Sequence, residues 1–321
     1  MVTNLVTCAF TTFNSSDSIE MAIRSAFNQD YVNIEIIIVD DYSSDNTIKI
    51  LLNLSNNSPF PFRIISNKKN MGIGYCRDVL LNESNGEFIA FFDDDDFSYK
   101  NRISNQLSKI REFEKESNIN IINFEKSPLC YCNRYLRKSE KKILVKSIYA
   151  DFRKISNKKT SYALLSCGHF PIKASPGSTA TCVLFARLKT LRSLGGFNHK
   201  LRRFEDLDIA VKAAINNISM ISTESILLDQ YVSYGEEKKD SLKYELLLLE
   251  ENKNYLDKRQ YNFAKDYINF KNYCFSFRPF LIIKYFIKFS FGNPLLFIKK
   301  FLSSFRTIIL SIKYKDFSEN I

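Results

Sequence analysis

Within the first 125 residues, four short apolar runs alternate with stretches of helical spacing, and this alternation constrains the fold more than anything else in the chain. The runs are LVTCAF (5–10), IEIIIVD (34–40), FRIIS (62–66) and EFIAFF (87–92). Each is short and apolar at successive positions, which predicts strands buried on both faces. Between them, residues 17–29, 45–54 and 72–84 have helical spacing with polar outer faces. Ser44 or Asp45 is placed to cap the second of these helices. Strand–helix–strand repetition implies an α/β fold, a parallel sheet with helices on both sides. Ligands of such sheets bind beyond the carboxyl ends of the strands. The polar clusters fall there: TTFN after the first run, DDYSSD after the second, NKKNMG after the third and DDDD after the fourth.

From residue 126 to about 235 the pattern is mixed. LCYCNRYL and KKILVKSIYA read as strands, and SPGSTATCVLFAR as a loop leading into another. A helix over 187–194, the turn GGFN and a helix starting near Glu205 follow. Residues 240–256 form a charged helical stretch, and beyond 260 the chain turns basic and aromatic, with no acidic residue from 271 to 315. Lys284, Lys288, Gly292 and Pro294 interrupt the longest apolar run there, which argues against a spanning helix. Two readings of this tail stay open: an amphipathic helix on an anionic membrane surface, or a helical hairpin packed back on the domain. The expected division is 1–235, in halves 1–125 and 126–235, followed by a helical basic region, 236–321.

The 321 residues carry a net charge of +11, which points to a negatively charged partner. Seven cysteines without a paired framework suggest reduced thiols in a cytoplasmic protein. Cys130 and Cys132 form a CxC with nothing nearby to complete a zinc site, and the chain has only two histidines. The first residues lack the basic and apolar segments of a signal peptide.

With histidine chemistry scarce, the metal question rests on carboxylates. Asp93, Asp94, Asp95 and Asp96 follow the fourth apolar run. In an extended segment alternate side chains share a side, so Asp93 and Asp95 are expected to converge. Hard carboxylate oxygens favour Mg²⁺ or Mn²⁺, ions that also bind a substrate's phosphates. Capping of the next helix, expected at 99–114, by Asp96 or Ser98 accounts for one aspartate and not four. Asp40 and Asp41 form a second acidic pair suited to hydrogen bonds from a base or a ribose. Thr11, Thr12, Phe13 and Asn14 offer hydroxyls and one aromatic face to a planar base.

These segments resemble the family 2 glycosyltransferases of GT-A fold. LVTCAFTTFN stands for the family's P-T-Y-N turn, FNQDYVNIEIIIVDDYSSDNT for its Q…E-(I/V) and V-D-D-x-S stretches, and NMGIGYCRDVLLNESNGEFIAFFDDDDF for N-x-G-x-x-x-A-R-N, G-E-(Y/F)-I and D-x-D-D. GGFNHKLRRFEDLDIAVKAA is similar to the family's G-G-F and E-D-x-D-L helix, so the resemblance covers roughly residues 4–230. Ala9 and Thr11 depart from the apolar-Pro-Thr pattern, Phe13 stands for Tyr, and Asp78 stands where Asn is usual, leaving that position without an assigned role. The resemblance implies a Rossmann-like GT-A sheet and a metal-dependent, inverting transfer of a sugar from a nucleoside-diphosphate sugar, UDP being favoured. The acceptor would be a hydroxyl of a glycan or lipid-linked sugar, as in assembly of bacterial lipopolysaccharide or capsule.

Residue by residue, the resemblance implies that Thr11, Phe13, Asn14, Asp41, Asp93 and Asp94 hold the donor nucleotide. Asp95 with Asp93 would bind Mn²⁺ or Mg²⁺, and Asp206 would be the general base, with Glu205 its neighbour or alternative. His199, Arg202 and Arg203 precede the acidic helix as acceptor or phosphate contacts, and Lys212 follows where the family often has Arg. His169 is a further candidate for the acceptor pocket, and Arg77 for a salt bridge. Two alternatives compete. Nucleotidyl transfer needs a Gly-rich phosphate loop with a base, which TTFNSSDS lacks. A non-catalytic membrane or nucleic-acid binder would use the acids only as caps, but nucleic-acid binding predicts basic and aromatic residues on the sheet, and here they gather in the tail. The partners expected are therefore donor, acceptor and the inner face of the cytoplasmic membrane, without nucleic acid.

Overall fold

The computed structural model describes residues 4–138, 140–148, 160, 164–165, 177–231, 241–275, 278–292, 294–295 and 297–298. The chain forms two compact units, residues 1–154 with 177–235 and residues 155–176 with 236–321.

The first unit is built on a nine-stranded sheet. β1 (Val6–Thr12), β2 (Ile34–Asp40), β3 (Phe62–Ser66) and β4 (Phe88–Asp93) are joined through α1 (Ile19–Phe27), α2 (Thr47–Asn56) and α3 (Ile73–Glu83). They pair in parallel in the order β3-β2-β1-β4. β2 is buried at every residue and β1 and β4 nearly so, as expected of strands covered on both faces. β3 departs from that expectation: it is the edge strand, and Arg63 and Ser66 are exposed. Beyond β4 the sheet continues through β8 (Phe185–Arg187), antiparallel to both β4 and β6 (Leu129–Lys138). β9 (Met220–Tyr231) then pairs in parallel with β6 and antiparallel with the two-residue β5 (Phe97–Ser98), while β7 (Lys141–Val145) pairs with β6. The mixed half is thus made from segments far apart in sequence.

α1 buries Ile19, Ala22, Ile23 and Ala26, one face at helical spacing, against a core that includes Phe10, Ile36, Phe88 and Phe92. The Phe10 and Phe92 rings stack with centroids 4.9 Å apart. Each such side chain contributes on the order of 1.5–3 kcal/mol when fully buried. Asn46 stands at the cap position of α2 but makes no side-chain cap bond; Asp45, one of the two expected caps, accepts from the Thr47 N–H that opens the helix, and from the Ser16 N–H. The helix after the aspartates, α4 (Arg102–Glu116), has Asn101 at its cap, so neither Asp96 nor Ser98 is spent there. α5 (Leu188–Ser193) and α6 (Glu205–Ile215) complete the unit.

The second unit contains α7 (Ser241–Glu251), α8 (Lys258–Phe275) and α9 (Pro279–Gly292). α8 and α9 form a helical hairpin in which Tyr273 meets Tyr285 and Phe270 meets Phe286, at 5.3 and 5.9 Å between ring centroids. Among the described residues, no helix is long and apolar enough to cross a membrane.

Candidate active site

The register of the parallel strands brings the polar clusters level. Thr12 pairs with Asp40 across β1 and β2, and Thr11 pairs with Asp93 across β1 and β4. The chain reaches β2 on one side of β1 and β4 on the other, so the loops diverge and open a crevice at that point. Asn14 sits there in the left-handed region (φ 50°), donating its N–H to Ser43 Oγ at 2.8 Å and accepting from the Ser44 N–H at 2.8 Å. The Phe13 ring is half exposed, and its N–H reaches Asp94 Oδ2 at 3.2 Å across the crevice. Asp41 is buried, its carboxylate accepting from Asn67 Nδ2 and from the Met71 and Gly72 N–H groups at 2.7–2.8 Å. In this arrangement it orders the loop after β3.

The four aspartates do not lie on one extended strand. β4 ends at Asp93, and residues 94–95 turn. The turn breaks the alternation that would have set Asp93 beside Asp95. Instead, oxygens of Asp93 and Asp96 and the Cys182 sulfur lie within 4.8 Å of one another. Asp96 is 2% exposed; Oδ1 accepts from the Tyr231 N–H, while Oδ2 is buried without a partner. Burial first, then Asp93 and Asp95, push its carboxyl well above the usual range. Burial likewise raises Asp94, against hydroxyl hydrogen bonds from Thr12 and Ser15. Behind the turn lies Arg102, fully buried, which donates to the Phe91 carbonyl at 2.7 Å and to Ser98 Oγ at 2.8 Å. This cation ties the backbone before the aspartates to the Ser98 side chain after them.

Arg77 connects the acids of β4 to those of α6. It is 3% exposed, with Nη1 2.5 Å from Glu205 Oε1 and Nη2 3.3 Å from Asp93 Oδ1. Phe204, the residue before α6, is left-handed (φ 65°), a conformation that costs a bulky residue about 1–3 kcal/mol and gathers at functional sites. Asp206 follows in the first turn, its Oδ1 accepting from the Leu207 N–H at 2.7 Å. Desolvation, then the neighbouring Glu205, push the Asp206 carboxyl up to about 7, against the pull of Arg77. Tyr131 and Arg134 on β6 contribute a hydroxyl and an Nη1 that are buried without a partner. Arg134 Nε donates to Gln230 at 2.7 Å, and Gln230 in turn approaches Cys182 at 3.7 Å.

The remaining candidates surround the GGFN turn. Asp78 accepts from the Phe197 N–H at 2.7 Å and meets His199 Nε2 at 2.6 Å. A Cβ on Gly196 (φ 65°) would fall 2.2 Å from Asp78 Oδ1, so that turn requires glycine. Asp78 therefore fastens α3 to the turn, a role the sequence left unassigned. Lys212 donates to the Gly196 carbonyl and pairs with Asp208, at 2.8 and 2.9 Å. Arg202 reaches Asn70, Arg203 stands in the loop ahead of α6, and His169 lies outside the described residues. Sequence reasoning missed Arg102 and Arg134; the salt bridge expected at Arg77 is present, with Asp93 and Glu205 as partners that the sequence did not name. Buried arginines look like surface residues in a sequence; for Arg77, its place in the stretch NMGIGYCRDVLLNE, which resembles the family motif, was the available signal.

A crevice at the switch point of a doubly covered parallel sheet, with an acid cluster on one side and a raised carboxyl on the other, defines an α/β ligand site beyond the carboxyl ends of the strands. The model for the family "Glycosyl transferase family 2" matches residues 7–167, half of the chain, and the chain belongs to that family. It is 35% identical over 136 residues to UDP-Glc:alpha-D-GlcNAc-diphosphoundecaprenol beta-1,3-glucosyltransferase WfaP of Escherichia coli, covering 42% of this chain and 47% of that protein. It is 32% identical over 118 residues to GalNAc(5)-diNAcBac-PP-undecaprenol beta-1,3-glucosyltransferase of Campylobacter jejuni, covering 34% and 38%. These matches span less than half the length of either relative. In fold, the chain is similar to S. aureus TarS 1–349 in complex with UDP-GlcNAc, with a TM-score of 0.61 at 18% identity over 97% of this chain and 92% of that one. It is also similar to mannosyltransferase PcManGT from Pyrobaculum calidifontis in complex with GDP-Man and Mn²⁺, with a TM-score of 0.56 at 14% identity over 98% and 83%. The fold is thus GT-A, and membership of the family favours glycosyl transfer over nucleotidyl transfer or a purely binding role.

Proposed function

We propose that the chain transfers a sugar from a UDP-sugar to a hydroxyl of a lipid-linked saccharide, with inversion, in assembly of a bacterial surface polysaccharide at the cytoplasmic face of the membrane. The observation that carries the reading is the span of Arg77, one guanidinium joining Asp93 at the end of β4 to the Glu205–Asp206 pair. It supports a donor site and a proton acceptor held a single side chain apart. The substrates named for the Escherichia coli and Campylobacter jejuni relatives support the diphospholipid acceptor, and the UDP-GlcNAc complex of TarS supports the donor.

Asp206 is the proposed base. A sugar hydroxyl is a poor nucleophile, and a carboxylate whose pKa lies near the working pH can take its proton as attack develops. The acceptor oxygen forms a bond to the anomeric carbon, the bond from that carbon to the diphosphate breaks, and the proton passes to Asp206. Glu205 remains bound to Arg77 at 2.5 Å, which leaves Asp206 as the member of the pair available to the substrate. On the donor side, Thr11, Phe13 and Asn14 are proposed at the base and ribose, with Asp94 holding the Phe13 backbone in place.

Mn²⁺ or Mg²⁺ is the proposed cofactor. Asp96, with a buried oxygen lacking a partner beside Asp93, fits a hard divalent cation; Cys182 is a softer ligand than such ions prefer. Asp93 and Asp96 would hold it. When bound it would offset the negative charge of the departing diphosphate.

The test separates binding from chemistry. Asp206→Asn is expected to bind UDP-sugar as the unaltered protein does, while turnover falls by about 10²–10⁴-fold. Calorimetry with UDP-sugar and a radiolabel transfer assay measure the two quantities. Turnover close to that of the unaltered protein would remove Asp206 as base.

A further inference from the structure

We propose that α9 is a docking face for an anionic lipid bilayer. One row of its apolar residues is turned outward. Phe280, Ile283, Ile287 and Phe291 recur at intervals of three, four and four, so they form one stripe along the helix. All four are exposed, from 50% at Ile287 to 87% at Phe280. The opposite side of the helix makes the hairpin, through Tyr285 and Phe286 against α8. An ordinary surface helix would direct such a stripe inward. Leu295 and Ile298, just beyond α9, are exposed as well.

Cations run beside the stripe. Lys284 and Lys288 each follow a stripe residue by one position, which sets them along one margin, and both are exposed. A groove of about 640 Å³ between α8 and α9 has Arg259, Lys265 and Lys288 on its wall, with Asp266 as the one acid among its lining residues. Ile287 and Phe291 line the same groove, so apolar and cationic surfaces share an edge.

Charge selects the occupant. Residues 271–315 hold nine Lys or Arg and no Asp or Glu. A second copy would bring the same positive charge against this one. A nucleic acid would answer the charge and leave the stripe in water. An anionic bilayer meets both, because its phosphates lie at the level of the lysines while the stripe enters the acyl boundary, about 5–10 Å deep. Such docking would bring the chain to the surface where a lipid-linked acceptor resides. It deepens the proposed function on that point but does not depend on turnover.

The experiment is flotation of the full chain with phosphatidylcholine vesicles, with and without phosphatidylglycerol. Binding is expected only with the anionic lipid, and it should weaken as salt is raised. Lys284→Gln with Lys288→Gln should raise the lipid concentration for half-binding by about tenfold or more, and the triple change Ile283→Ser, Ile287→Ser and Phe291→Ser should abolish flotation. Melting temperature checks that folding survives; should the serine variant melt early, the glutamine pair decides. No flotation, or flotation that neither set of changes reduces, overturns the proposal. So does a dimer in lipid-free solution, detected by light scattering and lost in the serine variant, since the stripe would then belong to a second copy. The readout is binding, so loss of the glycosyl-transfer reading would leave it intact, and the reverse holds too.

Discussion

A carboxylate serves as a base near neutrality only when something raises its proton affinity, and at Asp206 burial and Glu205 do so together. The active form is the ionised one, so kcat/KM is expected to rise with pH up to about 7 and to level off above it. A profile of kcat/KM at saturating metal from acid to mildly alkaline pH would show it, and a flat profile across neutrality would exclude Asp206 as the titrating group. The same shift has a cost in stability. In the unfolded chain an aspartate ionises near pH 3.9, whereas the folded group does so at about 7. Between those values the folded state binds more protons, and stability declines as pH rises. Asp206→Asn removes that slope. Its melting temperature should match that of the unaltered protein near pH 4 and exceed it at pH 8, by roughly 2–4 °C for each kcal/mol recovered. An asparagine variant less stable than the parent at pH 8 would mean that the ionised carboxylate is held by partners stronger than its desolvation.

At the scale of elements, Arg77 ties α3 to both β4 and α6. Removing one partner of a buried ion pair leaves the other charge uncompensated, at about 3–5 kcal/mol. Arg77→Leu should therefore lower unfolding free energy in urea by about that amount, while Arg24→Leu, which breaks an exposed pair within α1, should change it by less than about 1 kcal/mol. Equal effects would mean that Arg77 is solvated. The elements that Arg77 joins were unequally legible. β1, β2 and β4 are continuous apolar runs because helices cover both their faces, so their pattern survives in the sequence. β9 was missed because MISTESILLDQY is broken by Thr223, Glu224 and Ser225 at the irregular pairing with β6, and β5 has only two residues. The acids of the site were legible as motif positions. Their geometry was not, because the turn at 94–95 and the partners of Arg77 and Arg102 depend on contacts across long stretches of chain.

For the whole molecule the notable contrast is one of charge. The chain has 46 basic and 35 acidic residues, yet the carboxyl edge of its sheet gathers Asp40, Asp41, Asp93, Asp94, Asp95 and Asp96. A diphosphate approaching that edge alone meets like charge, and a cation alone must enter a cluster where burial raises the proton affinity of Asp94 and Asp96. Each ligand should therefore bind weakly by itself and strengthen the other, as coupled ligands must do reciprocally. In a thermal-shift panel of UDP, GDP and dTDP, each with EDTA or Mn²⁺, the UDP–Mn²⁺ pair should raise the melting temperature by more than the sum of UDP with EDTA and Mn²⁺ alone. At a concentration about 100-fold above Kd the pair stabilises by about 2.7 kcal/mol, or roughly 5–10 °C for a domain of this size. Asp96→Asn should remove most of the excess, because it withdraws a ligand oxygen that has no other partner. Asp206→Asn should keep it, since the proposed role of its carboxyl is on the acceptor rather than on the nucleotide. A UDP shift of the same size in EDTA would mean that the aspartates hold the nucleotide through protein donors alone, and the cation would have no place at the end of β4.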